Sequence, residues 1–282
     1  MQTDKVQHSR FELKYFIDES TALRVRDFVQ SYLEIDEFGA QRPSLSYPTL
    51  SLYLDSDDLK TYWHTINGDK NRFKLRLRYY DDRPETPVFF EIKRRMNNII
   101  LKDRAGVRKA AVRRLLAGHL PERGDLLYPG DIQQQAAAAR FIELMSRLQA
   151  KPKMHIAYLR EAWENPMDNS VRVTFDRVVD SVPNPQPTLV ATSPNPHRVF
   201  EKSVVLELKY TNRFPNWFRE LVSTFDCMQT GAAKFAEGIF MKGEDWVHRA
   251  CQPKPPEVVV DEFLAGREFF GQGMPGPIPT RR

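Results

Sequence analysis

The sequence contains very little cysteine. Cys227 and Cys251 are the only two cysteines among 282 residues, and they form neither a close pair nor a metal-ligand spacing. Secreted domains with a small core usually depend on several disulfides, which this chain cannot form. A disulfide framework is therefore not expected, and a reducing compartment suits the chain.

Long hydrophobic runs are absent as well. The N-terminus, "MQTDKVQHSRFELKYF", lacks the apolar run of a signal peptide. No stretch approaches the roughly 18 consecutive apolar residues that indicate a transmembrane helix. These absences predict a cytoplasmic protein. They leave open whether a membrane-protein partner, not encoded in this chain, cooperates with it.

Several motifs of nucleotide and metal enzymes are missing. The sequence has no P-loop, no G-x-G-x-x-G and no H-E-x-x-H, and its six histidines show no ligand spacing. A strong excess of positive charge is missing too, because 42 basic residues stand against 37 acidic ones, for a net charge of +5. Where the charges lie therefore matters more than their sum.

Alternation of apolar and polar residues is what the sequence has in quantity, and it predicts eight strands. These strands cover residues 10–17, 49–55, 72–80, 87–95, 98–107, 153–163, 170–178 and 202–210. Helical periodicity and capping residues predict helices at 18–33, 55–66, 108–118, 131–150 and 216–225. We predict an α+β fold: an eight-stranded antiparallel β-barrel tunnel with a charged interior, flanked by helices. It occupies residues 1–250, and the Pro- and Gly-rich tail at 251–282 is predicted to be disordered.

The stretch "NRFKLRLRYY" carries the densest charge pattern. Side chains of a strand alternate between faces, so Arg72, Lys74, Arg76 and Arg78 share one face, opposite the intervening hydrophobes. An ordinary strand with one face in water would explain this pattern if it stood alone. A cavity lined by the same face would instead suit a strongly anionic ligand.

Other strands repeat the pattern as acid–base pairs two residues apart. The pairs are Glu12 with Lys14, Glu91 with Lys93, and Glu207 with Lys209, and further cations at alternating positions are Lys102, Arg104, Arg160 and Arg172. A solvent-exposed face would mix more Thr, Ser, Gln and Asn with its charges. The repetition favours inward-facing cations that bind a chain of phosphates, with a few carboxylates able to hold a divalent metal ion.

Nucleic acid is the alternative polyanion. Sheet proteins that bind RNA stack bases on aromatic residues of the basic face, whereas Phe73, Tyr79 and Phe90 lie on the opposite face here. Tyr80 and Phe89 share the charged face, which is too few for such a surface. We therefore predict no nucleic-acid partner.

The same motifs resemble those of the triphosphate tunnel metalloenzyme (CYTH-like) superfamily and, within it, the VTC domain that makes polyphosphate. They are "RFELKYFI", "SLYLDS", "KLRLRYY", "FFEIKRR", "LKDR", "AYLR", "VRVTFD", "VLELKY" followed by "P.WF.EL", and "AAKF.EG", in the family's order from residue 10 to about residue 243. The resemblance implies a tunnel of eight antiparallel strands. It also implies ATP as phosphate donor, inorganic polyphosphate as product, and Mn²⁺ or Mg²⁺ as metal.

The resemblance also implies roles for individual residues. The predicted catalytic cations are Arg76, Arg78, Lys93, Arg160 and Arg172. The predicted phosphate- or ATP-binding residues are Lys14, Lys102, Lys209 and Lys234, with Arg104 as the alternative match to Lys102, and with Arg72 and Lys74 from the alternating strand. Glu207 matches the metal-holding glutamate, and Glu12 and Glu91 are weaker metal candidates that could instead orient a neighbouring cation.

Two departures from the family pattern bear on activity. Ala233 stands where the family often has a phosphate-contacting serine, and the first strand carries Arg10-x-Glu12-x-Lys14 instead of the two-glutamate signature of hydrolytic relatives. The second departure favours a polyphosphate polymerase that transfers the terminal phosphoryl group of ATP to phosphate or polyphosphate. A triphosphate hydrolase, or a non-catalytic phosphate- or nucleotide-sensing module, remains the alternative.

Overall fold

Ten strands form one sheet in the computed structural model, which describes residues 11–97, 99–168, 170–211 and 213–251. The strands are β1 Phe11–Ile17, β2 Glu34–Ile35, β3 Tyr47–Asp55, β4 Asn71–Tyr79, β5 Pro87–Met96, β6 Ile99–Arg108, β7 Lys151–Glu164, β8 Val171–Pro183, β9 His197–Arg198 and β10 Val204–Tyr210. The α-helices are α1 Glu19–Val29, α2 Glu37–Ala40, α3 Lys60–Ile66, α4 Val112–Leu116, α5 Ile132–Leu148, α6 Asn216–Thr224, α7 Lys234–Lys242 and α8 Glu244–Ala250.

The strand order is β1-β10-β8-β7-β3-β4-β5-β6, with β2 on β7, β9 on β8, and every pairing antiparallel. The α+β class and the antiparallel sheet are confirmed. The prediction of a closed eight-stranded barrel was wrong in two respects. The sheet has two further short strands, and no backbone pairing joins β1 to β6 in the described residues. Strands of two residues are too short to show alternation, and alternation does not reveal which strands form the edges.

The two edges nevertheless lie next to each other. Lys93 Nζ of β5 lies 3.1 Å from the carboxylate of Glu12 on β1. An ion pair between side chains therefore links β1, at one edge of the sheet, to β5, the strand next to the other edge. The alternating charges lie on the concave face of this sheet.

Apolar residues of the convex face pack under two groups of helices. Over β3 to β6, Phe141 of α5 lies 4.8 Å from the ring of Phe90, and Leu115 of α4 is also buried there. Over β1, β10 and β8, the buried cluster includes Val25 of α1 and Phe218 of α6. Most hydrophobic residues of the strands belong to these two clusters, and the charged residues that alternate with them lie on the other face.

A third apolar cluster lies on the concave face and was not predicted. Phe235 of α7 stacks on Tyr53 at 4.8 Å, and Ile156 is buried with them. A Cβ on Gly238 would lie 3.0 Å from Ser181 Cβ, so the glycine lets α7 approach the sheet closely. The interior is therefore charged over part of its length and filled by α7 over another part.

The division into a domain at residues 1–250 and a disordered tail at 251–282 stays a prediction. Residues 252–282, nearly all of that tail, lie outside the described residues. Among the described helices, none is long and apolar enough to span a membrane.

Candidate active site

Strand register brings the predicted site residues together on the concave face. Lys14 lies opposite Glu207, and Glu12 lies opposite Lys209, between β1 and β10. On the other side of the sheet Arg76 lies opposite Glu91. Cross-strand neighbours of opposite charge stabilise a sheet, and here they also concentrate charge in one concave surface.

Glu207 is the centre of the largest charge cluster. Its carboxylate lies 2.6 Å from Lys209 Nζ, 3.0 Å from Lys234 Nζ, 3.4 Å from Arg160 and 3.6 Å from Lys14 Nζ. Burial on its own would raise the pKa of this carboxyl, but the surrounding cations hold it well below its usual value. Glu207 is therefore ionised and is shared among four cations.

Asp176 belongs to the same cluster, although we did not predict it as a site residue. Arg160 donates two hydrogen bonds of 2.7 Å to its carboxylate, and Lys234 Nζ lies 2.6 Å away. Burial would raise the pKa of Asp176, and the charges of Arg160 and Lys234 lower it. The sequence held a signal, since Asp176 alternates with Arg172 in "VRVTFD".

Glu91 holds a second cluster. Its carboxylate lies 2.6 Å from Arg76, 3.5 Å from Arg104 and 3.8 Å from Lys102. Both Lys102 and Arg104 thus reach the same acid, and the assignment of either as the family's phosphate-binding cation stays a prediction. Arg76 also donates to the hydroxyl of Tyr53 at 3.2 Å.

Glu12 connects two lysines of different strands. Its carboxylate lies 3.1 Å from Lys93 Nζ and 3.1 Å from Lys14 Nζ. Lys74 lies near these lysines, with its Nζ 5.8 Å from the centre of the Phe235 ring. Burial, together with the charges of Lys14 and Lys93, lowers the pKa of Lys74 to about 8 although Tyr53 opposes the shift.

Two further cations of the site are unusual in different ways: Lys209 has a lowered pKa, and Arg78 has a buried nitrogen without a hydrogen-bond partner in the described residues. Burial lowers the pKa of Lys209 to about 7 despite the nearby carboxylate of Glu207. Arg78 is 4% exposed, and its Nε has no hydrogen-bond partner among the described residues. Its guanidinium lies 5.6 Å from the centre of the Tyr158 ring. A buried donor without a partner is costly, and it can donate a hydrogen bond to a bound ligand.

Within the described ranges, Arg72 and Arg172 make their contacts outside these two clusters. Arg72 donates to the backbone carbonyl of Asp69. Arg172 bonds the carboxylates of Glu164 at 2.6 Å and Asp36 at 2.8 Å. Asp36 lies on a connection far away in sequence, so no local pattern could indicate this contact.

The predicted metal ligands fit a shared site only in part. Glu12 and Glu207 face the same space, because Lys14 Nζ contacts both, and carboxylate oxygens are suitable ligands for Mn²⁺ and Mg²⁺. Glu91 belongs to the separate Arg76 cluster. No group of three or more His, Cys, Asp or Glu within the described ranges could hold a metal by itself. A metal held here would need oxygens from bound phosphates, as is common for Mg²⁺.

Comparison with known proteins assigns the family. The family model described as the VTC domain matches residues 9–241. The chain belongs to the VTC domain family. The match spans every strand and both charge clusters, and it confirms the resemblance drawn from the motifs. No curated protein matches the sequence.

Solved structures of several proteins resemble this VTC domain at low identity. Protein bh2851 of Bacillus halodurans, named as a candidate adenylate cyclase, is 14% identical with a TM-score of 0.46 over 80% of this chain and 94% of its own. HpAC1 of Hippeastrum, described as having a dominant triphosphatase activity, is 12% identical with a TM-score of 0.46 over 84% and 96%. PH1819 of Pyrococcus horikoshii is 11% identical with a TM-score of 0.41 over 83% and 99%.

The family assignment rests on the sequence match rather than on these likenesses. Membership of the VTC domain family supports phosphoryl or triphosphate chemistry.

Proposed function

We propose that this VTC domain is a polyphosphate polymerase, which transfers the terminal phosphoryl group of ATP to phosphate or to a growing polyphosphate chain. The observation that carries the proposal is the surplus of cations on the concave face. Glu207, Asp176, Glu91 and Glu12 neutralise some of them, but the cations outnumber these acids. The basic residues are Lys14, Lys74, Arg76, Arg78, Lys93, Lys102, Arg104, Arg160, Lys209 and Lys234.

A bound triphosphate would supply the missing negative charge. Uncompensated buried charges are costly, so a polyanion that enters the site gains the attraction of cations already held in place by the sheet. Arg76 and Arg160 are each anchored by a carboxylate, and their remaining N–H groups can donate to phosphate oxygens. We assign these two residues, with Lys209 and Lys234, to charge stabilisation during transfer.

The mechanism needs no protein nucleophile. Phosphoryl transfer is promoted mainly by placing donor and acceptor in line and by stabilising charge on the transferred group. The two charge clusters lie on one concave surface, and we expect them to hold the donor and acceptor phosphates together. A divalent metal, Mn²⁺ or Mg²⁺, held by Glu207 and Glu12 would neutralise phosphate charge.

Product analysis tests the proposal. The purified protein is incubated with ATP and Mn²⁺ or Mg²⁺, and the products are separated on a gel and assayed for free phosphate. We expect phosphate chains in the wild type and their loss in Arg160→Ala. Free phosphate without chains would indicate a hydrolase, and ATP binding without turnover would indicate a sensing module.

The role of Glu207 is tested by Glu207→Gln. If the carboxylate holds the metal, turnover falls by about 10²-fold or more, the scale seen when one electrostatic element of a site is removed. If it only neutralises Lys209 and Lys234, the variant is less stable without ligand but keeps the wild-type half-saturation for Mn²⁺. A Mn²⁺ titration of turnover, with melting temperatures in the presence and absence of tripolyphosphate, separates these two roles.

A further inference from the structure

Four aromatic rings surround one end of the charged concave face. We call Phe38, Tyr47, Tyr80 and Phe89 the aromatic mouth. Phe38 and Tyr80 are nearly parallel, with centroids 6.3 Å apart and an angle of 11°, and Tyr80 lies 6.3 Å from both Tyr47 and Phe89. None of the four residues belongs to the three hydrophobic clusters described above.

The mouth is open to solvent. Phe38 is 53% exposed and Tyr80 is 37% exposed, whereas Tyr47 behind them is 6% exposed. Scattered exposed hydrophobic residues are common on proteins, but a cluster of exposed rings beside a charged cavity is typical of a binding site.

The mouth is continuous with the phosphate-binding cations. Arg104 lies over the Phe89 ring at 3.6 Å, and Phe89 is the register partner of Arg78. Tyr47 donates to Asp36 at 2.6 Å, the acid that also bonds Arg172. A ligand of nucleotide length that lies on these rings can therefore reach the cations with its other end.

Polar groups without partners lie between the rings and the cations. Arg78 Nε, Ser51 Oγ and Thr49 Oγ1 are buried and have no hydrogen-bond partner in the described part of the chain. Ser51 is the register partner of Arg78, and Thr49 is two residues nearer to Tyr47 on the same face of β3. These groups could bond ribose hydroxyls or phosphate oxygens next to a base at the mouth.

We propose that the aromatic mouth binds the nucleobase of a nucleoside triphosphate, stacked against Phe38 and Tyr80, while its phosphates extend to the cations of the concave face. Aromatic rings stack on any base, because every base has a planar π-face. The rings therefore offer a nucleoside triphosphate contacts that inorganic tripolyphosphate, which has no base, cannot make. This inference rests on the proposed function, because it assumes that the concave face binds the triphosphate.

Calorimetric titration of ATP and of inorganic tripolyphosphate tests the inference. Phe38→Ala/Tyr80→Ala is expected to weaken ATP binding about tenfold, within the range that stacking one base contributes, and to leave tripolyphosphate binding within about twofold. Tyr80→Phe keeps the ring and should bind ATP like the wild type. Tyr32→Ala is the matched control, since Tyr32 is also exposed and stacked, on Trp217 at 4.6 Å and away from the site.

The outcomes separate this inference from the proposed function. Unchanged ATP binding in the double variant, or equal weakening of both ligands, would overturn the nucleobase assignment while leaving the concave face as the triphosphate site. If wild-type protein bound neither ligand, the proposed function and this inference would fail together. A double variant that fails to fold is replaced by Phe38→Ala alone, with the same expected direction.

Discussion

At the scale of one residue, Arg78 is a buried cation that we expect to lower the stability of the free protein and to bind an anionic ligand. The neighbouring Arg76 has Glu91 and Tyr53 as partners, whereas Arg78 Nε has none in the described residues and the side chain is buried. The Tyr158 ring offsets part of this cost through a cation–π contact. The charge is expected to be unfavourable until an anion enters.

Replacing Arg78 by Met should therefore stabilise the ligand-free protein. Apolar side chains of similar size often match or exceed a buried charge in stability, so we expect a melting temperature equal to or above that of the wild type. Binding of tripolyphosphate should weaken at least tenfold, because charge-assisted bonds to phosphate are lost. Thermal unfolding with and without tripolyphosphate measures both effects.

Arg94→Met is the control for this experiment. Arg94 lies on β5 and pairs with Asp103 at 3.0 Å, on the face opposite Lys93 and Glu91. The substitution removes the same charge but should leave unchanged the rise in melting temperature that tripolyphosphate causes. If this rise in Arg78→Met equalled that of the wild type, or if it were reduced equally in Arg94→Met, a phosphate site on the concave face would be contradicted.

The lysines with lowered pKa values predict how ATP binding depends on pH. Lys209, with a pKa of about 7, and Lys74, with a pKa of about 8, are charged at pH 6.5 and neutral at pH 9. Tyr53, whose pKa the surrounding cations lower to about 7 against the effect of burial, becomes negative over the same range. All three changes disfavour an anion, so ATP binding should weaken steadily from pH 7 to pH 9.

Stability of the ligand-free protein should change in the opposite direction. Lysines of the unfolded chain stay protonated up to about pH 10, so between pH 7 and 10 the unfolded state binds more protons than the folded state. The free energy of unfolding therefore rises with pH in this window. Lys209→Arg stays charged and should flatten the dependence of ATP affinity on pH, as measured by calorimetry. A wild-type slope in that variant would show that Lys209 does not titrate with binding.

Helix α7 shows at the scale of elements how a segment outside the sheet completes the site. It packs on the concave face through Phe235 and Ile239, and its first residue, Lys234, contacts both Asp176 and Glu207. Close approach at Gly238 fixes this position. The position of one buried lysine therefore depends on packing one turn away.

Gly238→Val should displace α7 and weaken binding at the Lys234 end of the site. The added Cβ would lie 3.0 Å from Ser181 Cβ and 3.3 Å from Ile156 Cδ1, which is too close without movement. Overpacking of this kind costs about 1–3 kcal/mol, so we expect a fall of several degrees in melting temperature and a weaker tripolyphosphate-induced rise. Gly130→Val, where a Cβ would meet no atom within 4 Å, is the control. Equal behaviour of the two variants would contradict the role given to α7.

The elements also show what could be predicted from the sequence. Alternation located all eight long strands, because one face of each strand packs into a hydrophobic core. Helix α7 was not among the predicted helices. Its N-cap is Ala233, which provides no side-chain hydrogen bond, so the usual capping signal is absent. The predicted helix at 55–66 starts at Lys60, because Asp55 ends β3 and accepts hydrogen bonds from the backbone of Thr61 and Tyr62.

The charged face of an antiparallel sheet commonly lies open to water, whereas across the whole described chain it forms a concave surface. The apolar face is covered by helices, and the charged face is concave, with residues as distant in sequence as Glu12 and Lys93 in contact. The sequence predicted which side chains share this face, but it could not predict their partners. Contacts such as Arg172 with Asp36 depend on the course of the whole chain.

A crystal structure with a non-hydrolysable ATP analogue tests the central claim most directly. We predict that the triphosphate lies along the concave face between the two charge clusters, with phosphate oxygens within hydrogen-bond distance of Arg76, Arg160 and Lys209. Such a position would displace solvent from the site and pair the surplus cations. A triphosphate bound on the convex side of the sheet, or one that leaves these three residues without a phosphate contact, would contradict the account.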